Sequence, residues 1–516
     1  MTTFDKRLGQ RFMVGFEGLT APQYILDWLA EGRIGGVILF ARNVESPKQL
    51  ADLCRSLHEA SETPIFIAID QEGGMVARMR QRQGFTECSG AMPLAAANNN
   101  LELTENMSRV LADEMCAVGI NWTFAPVVDL SYNAENPTVG TRSFGRDPKL
   151  VGELAAAATR GFQAGGVMAC AKHFPGLGNT SIDSHLDLPT LDTPLEQLTS
   201  QDLEPYRHVV DANIASIMTT HTVFSELDTD YPATLSPHII ANLVRDELGF
   251  DDLVITDCLE MHAITKHYGE GESSVLALVS GVDVALISHT KSHQEVAFEA
   301  AMQAVKDGRI NEANLQTAYE RIQRMKAQFA IDTQHIDPEL VHTEANRQKS
   351  LAAAQAGISI NGNTEYLPLG DHERIGVIEF ASYMDSEVME RNEPTSFAGL
   401  VLKHFPNAEI VALHAINPTE TQLAETQALI QRVDKVLIVT RNAHMIDAQR
   451  NATRQFLSTD IPTILLALRN PYDADVLEAD TTLCTFGDSM PSLEAAALAL
   501  VGDFVPTGKR PVAAQV

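Results

Sequence analysis

The sequence predicts an α/β protein in two parts: an N-terminal (β/α)8 TIM barrel over residues 1–335 and a smaller C-terminal α/β sandwich domain over 336–516. Three observations predict it. A chain of 516 residues is too long for one ordinary core. Eight short, apolar, β-branched runs alternate with helical patterns through the N-terminal part, as strands buried on both faces do. A second and shorter alternating set follows a polar stretch that contains a proline.

The strand runs are 11–16 (RFMVGF), 36–40 (GVILF), 65–70 (IFIAID), 121–125 (NWTFA), 167–171 (VMACA), 215–219 (ASIMT), 253–256 (LVIT) and 282–287 (VDVALI). Helical patterns at 47–60, 102–118, 148–164 and 236–248 lie between them. Strand-helix alternation implies a parallel sheet, and eight units suit closure into a barrel. Alternation alone leaves an open doubly wound sheet as the alternative. Residues 331–340 (IDTQHIDPEL) read as a linker, followed by a helix at 344–356. The second set of strands is read at 375–380, 408–413, 436–440 and 463–467, with a last one near 483–486. It suggests a flavodoxin-like open sheet. No G-x-G-x-x-G follows any of these strands, so a nucleotide role has no support.

Composition narrows the function. The formal charge of −30 disfavours nucleic acid and anionic membranes as partners. No apolar run is long enough to span a bilayer. The opening MTTFDKRLGQRF lacks the pattern of a secretory signal. The six cysteines (Cys54, Cys88, Cys116, Cys170, Cys258 and Cys484) are scattered without a C-x-x-C pair. They read as reduced thiols of a cytoplasmic protein rather than as metal ligands. Neither a metal nor a cofactor is expected.

The chemistry-bearing residues fall at strand ends. Asp70 ends the third run, Asp129 follows the fourth, Lys172 and His173 the fifth, His221 the sixth and Asp257 the seventh. A parallel barrel opens all strand C-termini onto one rim, where its site lies. Helix capping explains one or two aspartates in such places, but not a Lys-His pair. Gly73 and Gly74 after Asp70-Gln71-Glu72 allow a sharp turn, and Arg78 can return a guanidinium to the rim.

The densest segment is 171–189, AKHFPGLGNTSIDSHLDLP. On extended backbone Asp183 and His185 point the same way, so the carboxylate can fix the imidazole tautomer and stabilise imidazolium. Such a pair can give and take a proton near neutral pH. Pro175, Gly176 and Gly178 upstream suit a hinge.

These residues resemble the signature of glycoside hydrolase family 3, in its bacterial β-N-acetylglucosaminidase (β-hexosaminidase) branch. Asp70-Gln71-Glu72-Gly73-Gly74, the 142–148 segment RSFGRDP and the 255–261 segment ITDCLEM support the likeness, which covers the barrel part in order. The resemblance implies an exo-acting, retaining hydrolase of terminal β-GlcNAc. Asp257 is then the nucleophile and His185 the acid/base, oriented by Asp183. Asp70, Arg78, Arg142, Lys172 and His173 then bind the sugar. It also implies muropeptide or chitin-derived substrates in cell-wall recycling. Two positions depart from the pattern: Leu177 where many members have His, and Met75 where an Arg often follows the glycines. Three rivals stand beside this reading. A β-GlcNAc phosphorylase would use the same residues, since a histidine acid/base does not repel phosphate. A metal-dependent barrel hydrolase lacks its expected H-x-H pair. A sugar-binding protein on a decayed scaffold is disfavoured by the presence of Asp257, Asp183 and His185 together.

Overall fold

The computed structural model describes residues 5–180, 187–370, 372–383, 389 and 396–512. Asp183 and His185 lie outside the described residues. Among the described residues, eight parallel strands make up the two main sheets of the N-terminal part: β1 (Phe12–Val14), β2 (Gly36–Leu39), β3 (Phe66–Ile69), β4 (Trp122–Thr123), β5 (Cys170–Phe174), β6 (Ser216–Thr219), β7 (Leu253–Thr256) and β8 (Ala285–Ile287). Five pair in the order β8-β1-β2-β3-β4 and three in the order β5-β6-β7. Isolated parallel bridges join Trp122 of β4 to Met168 just ahead of β5, and Ile255 of β7 to Val284 just ahead of β8. A short parallel ribbon, Thr190–Leu191 with Val223–Phe224, lies apart from them.

Side chains sort along these strands by parity, as the pleat requires. Met13, Ile38, Phe66, Ala68, Trp122 and Ile255 belong to one buried apolar cluster. Their neighbours Val14, Val37, Leu39, Ile67, Ile69 and Val254 belong to another, shared with the helices. Those helices start where the sequence signals a cap. In α1 (Pro47–Glu59) the Ser46 side chain accepts from Gln49 N, and in α3 (Pro148–Ala164) Asp147 accepts from Leu150 N. Proline opens both, where its missing N–H costs nothing. Helix α2 (Leu101–Ala117) approaches α3 closely at Gly161, where a β-carbon would sit 2.2 Å from the Glu105 carbonyl oxygen.

Two expectations are corrected. The fifth strand runs from Cys170 to Phe174, three residues further on than its apolar run, so Lys172 and His173 are strand residues rather than followers of a strand. Backbone pairing decides this: Lys172 N donates to Pro126 O, and Phe174 pairs with Thr219. The helix expected at 236–248 is Ile239–Glu247, with widened turns such as Leu248 N to Leu243 O.

The segment read as a linker is a strap on the N-terminal part. Two short turns, Thr333–His335 and Pro338–Leu340, flank Ile336, which is buried. Asp337 N donates to Ala117 O, and Arg55 donates to Ile336 O. Helix α4 (Glu344–Gly357) then leads into a six-stranded sheet: β9 (Ser359–Gly362), β10 (Ile375–Phe380), β11 (Glu409–Leu413), β12 (Lys435–Thr440), β13 (Thr463–Ala467) and β14 (Thr481–Cys484). Its order is β9-β14-β13-β12-β10-β11, parallel except for β9 against β14. The antiparallel β9 escaped the sequence reading because SING has neither length nor alternation. Val377, Leu437 and Leu466 face one apolar cluster, and Ile378, Phe380 and Ile438 face another, so both faces of the sheet are covered. No helix among the described residues is long and apolar enough to cross a membrane.

Candidate active site

The loop after β3 carries the first site residues. Gln71 frames it: its Oε1 accepts from Arg78 N at 2.8 Å and Met79 N at 3.0 Å, and its Nε2 donates to Met79 O. Gly73 and Gly74 both take positive φ, which turns the chain between Glu72 and Val76. The fold thereby returns Arg78 to Asp70, with Nη2 3.5 Å from Oδ2.

Glu72, to which the sequence reading gave no role, is the centre of a buried ion lattice. Arg142 approaches it with two parallel bonds of 2.9 and 2.8 Å, and Lys172 Nζ lies 2.7 Å from its Oε1. The same Lys172 Nζ donates to Asp70 Oδ1 at 2.8 Å. Burial works against ionising Glu72, but Arg142 and Lys172 overcome it and hold its carboxyl well below the usual range. Burial likewise works against the Lys172 ammonium, and Asp70 and Glu72 reverse this and raise it. Direct hydrogen bonds between opposite charges hold the lattice together, which suits recognition of a neutral polyol. One signal could have found Glu72: it stands two residues after Asp70, on the same side of extended backbone.

His173 is held from behind. Its Nδ1 lies 2.7 Å from Asp129 Oδ2, and the same carboxylate accepts from His173 N at 3.2 Å and from Leu177 N at 2.7 Å. Asp129, read as one rim group among several, is therefore the post that orients His173. A carboxylate partner makes Nδ1 the protonated nitrogen and leaves Nε2 for the cavity. His221 departs from the rim pattern. It is fully buried between Thr234 Oγ1 and the Cys258 carbonyl, each at 2.8 Å, and fastens the residue after Asp257. Asp257 follows β7; its amide donates to Thr219 O and its Oδ1 accepts from Cys258 N at 2.7 Å.

A cavity of about 870 Å3 unites these groups. Asp70, Arg78, Arg142, Lys172, His173 and Asp257 all line it, together with Glu72 and Leu177. That volume exceeds one pyranose ring and leaves room for a leaving group. Leu177, where a histidine is common in the family pattern, presents an apolar wall. Met75, the other departure, takes a hydrogen bond on sulfur from Thr141 Oγ1 at 3.0 Å. A carboxylate beside a fixed array of hydrogen-bonding charges can bind a sugar and attack its anomeric carbon.

Residues 3–325 match the model of the glycosyl hydrolase family 3 N-terminal domain. The chain belongs to glycosyl hydrolase family 3. This glycosyl hydrolase is 31% identical over 418 residues to β-hexosaminidase A of Pseudoalteromonas piscicida, covering 72% of this chain and 69% of that one. It is 38% identical over 276 residues to a β-hexosaminidase of Thiobacillus denitrificans, covering 52% of this chain and 75% of that one. The solved family 3 β-N-acetylglucosaminidase from Paenibacillus sp. str. FPU-7 superposes with a TM-score of 0.90 at 32% identity, covering 100% of this chain and 99% of that one.

Proposed function

We propose that this glycosyl hydrolase is an exo-acting, retaining β-N-acetylglucosaminidase. One observation carries the reading: Asp257 shares a single cavity with the Asp70, Glu72, Arg78, Arg142, Lys172 and His173 array. Similarity to β-hexosaminidases on one side and to a β-N-acetylglucosaminidase on the other supports GlcNAc as the terminal sugar. Asp257 attacks the anomeric carbon and displaces the leaving oxygen, forming a covalent glycosyl-enzyme. His185 gives the leaving oxygen its proton, then takes one from the water that hydrolyses the intermediate. Asp183 orients that imidazole. The roles of Asp183 and His185 rest on the sequence likeness, since both lie outside the described residues. Asp70, Arg78, Arg142, Lys172 and His173 hold the sugar by charge-assisted hydrogen bonds that strengthen as its ring flattens.

In this reading the eight N-terminal strands form a closed (β/α)8 barrel, supported by the bridges from Trp122 to Met168 and from Ile255 to Val284. The substrates are muropeptide or chitooligosaccharide fragments of cell-wall recycling, as the family resemblance implies, and the scattered cysteines support a cytoplasmic location. The test is product analysis on aryl β-GlcNAc and aryl β-glucoside, with and without phosphate. Free GlcNAc with retained anomeric configuration is expected from the first substrate. GlcNAc 1-phosphate would make the enzyme a phosphorylase, and preference for the glucoside would overturn the sugar assignment. Asp257→Ala and His185→Ala are expected to abolish turnover, and near-wild-type activity in either removes the role given to it.

A further inference from the structure

The sugar-holding loop 70–90 leans on the C-terminal part of the chain at one buried junction. Arg80 Nη2 donates to the carbonyl oxygen of Met75, at the tip of the turn that presents Glu72, at 2.9 Å. The guanidinium lies 3.7 Å from Glu87 at the other end of the loop, with side chains only 12% and 6% exposed. Glu87 belongs to both parts of the protein. Its Oε2 accepts from Met490 N, the first residue of helix α5 (Met490–Val501), at 2.9 Å, and its backbone oxygen accepts from the Ser350 hydroxyl of α4. Next to it, a β-carbon on Gly487 would lie 3.3 Å from Ser89 O, so the two backbones are in contact. Asp488 follows, bound by Arg469 at 3.1 Å and 3.5 Å from Arg441. Arg80 is among the cations that hold its carboxyl down against burial.

We propose that Arg80 is a positioning residue, through which Glu87 and the C-terminal sheet set the Met75 turn and so the placement of Glu72 and Arg78 in the sugar cavity. Arg80 does not line that cavity. Its reach is indirect: it fixes Met75 directly after Gly73 and Gly74, two glycines with positive φ that have little stiffness of their own. Loops hold a functional constellation less well than strands, and a loop of this length needs outside support to keep a ligand geometry. Among the described residues, none of the C-terminal part lines the cavity, so its contribution there is support. The inference builds on the proposed glycosidase site, but the junction itself stands on geometry alone.

The experiment compares Arg80→Met, Arg80→Lys and Glu87→Gln with the wild type in the full-length chain. The glycoside used is whichever aryl β-GlcNAc or β-glucoside the wild type cleaves. Arg80→Met is expected to lower kcat/KM by about 10- to 100-fold, because small misplacements of binding groups carry large rate costs. Inhibition by the free sugar should weaken in parallel. Arg80→Lys, which keeps a donor for the Met75 carbonyl and a charge beside Glu87, should recover much of the loss. Hydrogen exchange adds a readout independent of any substrate. Amides of residues 72–79 should lose protection in Arg80→Met and Glu87→Gln while those of β3 and β5 keep theirs. Failure of the wild type on both glycosides would count against the proposed function and leave the exchange comparison to decide this inference. Unchanged protection at 72–79 would overturn the positioning role, as would full kcat/KM in Arg80→Met.

Discussion

Glu72 meets Arg142 through two parallel contacts, Nε to Oε2 at 2.9 Å and Nη2 to Oε1 at 2.8 Å, with side chains 6% and 5% exposed. Removing one member of such a buried pair leaves the other charge uncompensated, which costs about 3–5 kcal/mol. Glu72→Ala is therefore expected to destabilise the chain by that order in urea unfolding and to abolish glycoside turnover. Glu72→Gln keeps the hydrogen bonds in part and should fall between. A Glu72→Ala variant with wild-type stability would show that Asp70 alone balances Lys172 and Arg142.

Asp129 accepts from His173 Nδ1, His173 N and Leu177 N with its two oxygens. Asparagine offers one oxygen, and its amide faces donors. Asp129→Asn should therefore weaken binding of the free sugar by about 10-fold or more, since a hydrogen bond to a charged group contributes roughly 1.5–3 kcal/mol. Calorimetric titration with GlcNAc reads this directly, and equal affinity in the two proteins would remove Asp129 from its orienting role.

Asp202 lies under the Pro175–Leu177 turn, where a β-carbon on Gly176 would come within 3.2 Å of its Oδ1. Burial, with the nearby Asp129 charge, pushes its carboxyl up to about 7. Below the ordinary carboxylate range, folded and unfolded chains hold the same proton and nothing is lost. As pH rises towards about 7 the unfolded chain releases a proton that the folded one keeps, so folded stability falls through that window. Asp202→Asn should thus be more stable than wild type at about pH 8 and indistinguishable at about pH 4. Parallel stability curves across that range would refute this.

Lys326 presents the opposite sign. It is buried, 2.5 Å from Gln10 Oε1 and 5.2 Å from the centre of the Phe66 ring, and burial pushes its ammonium down to about 7. Between about 7 and the usual lysine range, the unfolded chain holds a proton that the folded one lacks, so stability rises with pH across that interval. Below about 7 the full penalty is present. Lys326→Met should raise the midpoint of thermal unfolding near neutral pH, and the gain should shrink at about pH 10. A loss at both pH values would show that the Gln10 bond outweighs the buried charge.

Much of this was legible in the sequence because strands, caps and turns are local. Pro47, Ser46, Asp147 and Pro148 announce their helices, and the apolar runs locate the strands. Asp70, Lys172, His173 and Asp257 line one cavity, although Lys172 and His173 lie within their strand rather than after it. What escaped depends on contacts distant in sequence. Glu72 looks like one acid in an acidic chain until Arg142 and Lys172 close on it. His221 has the same spacing as a site residue, and only its bonds to Thr234 and Cys258 show that it fastens rather than lines. The extension of β5 through Phe174 follows from pairing with β6, which no periodicity in 170–174 reveals.

The strap around Ile336 bears on how the molecule comes apart. Ile336 fills a notch where Gly119 and Cys54 leave space: a β-carbon on Gly119 would meet the Ile336 side chain at 2.8 Å and Cys54 at 2.9 Å. Arg55 and Ala117 bind the same backbone, which pins the join at Ile336 and Asp337 to the N-terminal part. Heating should therefore melt both parts of the chain in one transition, and the N-terminal part made alone would carry an open apolar notch on its flank.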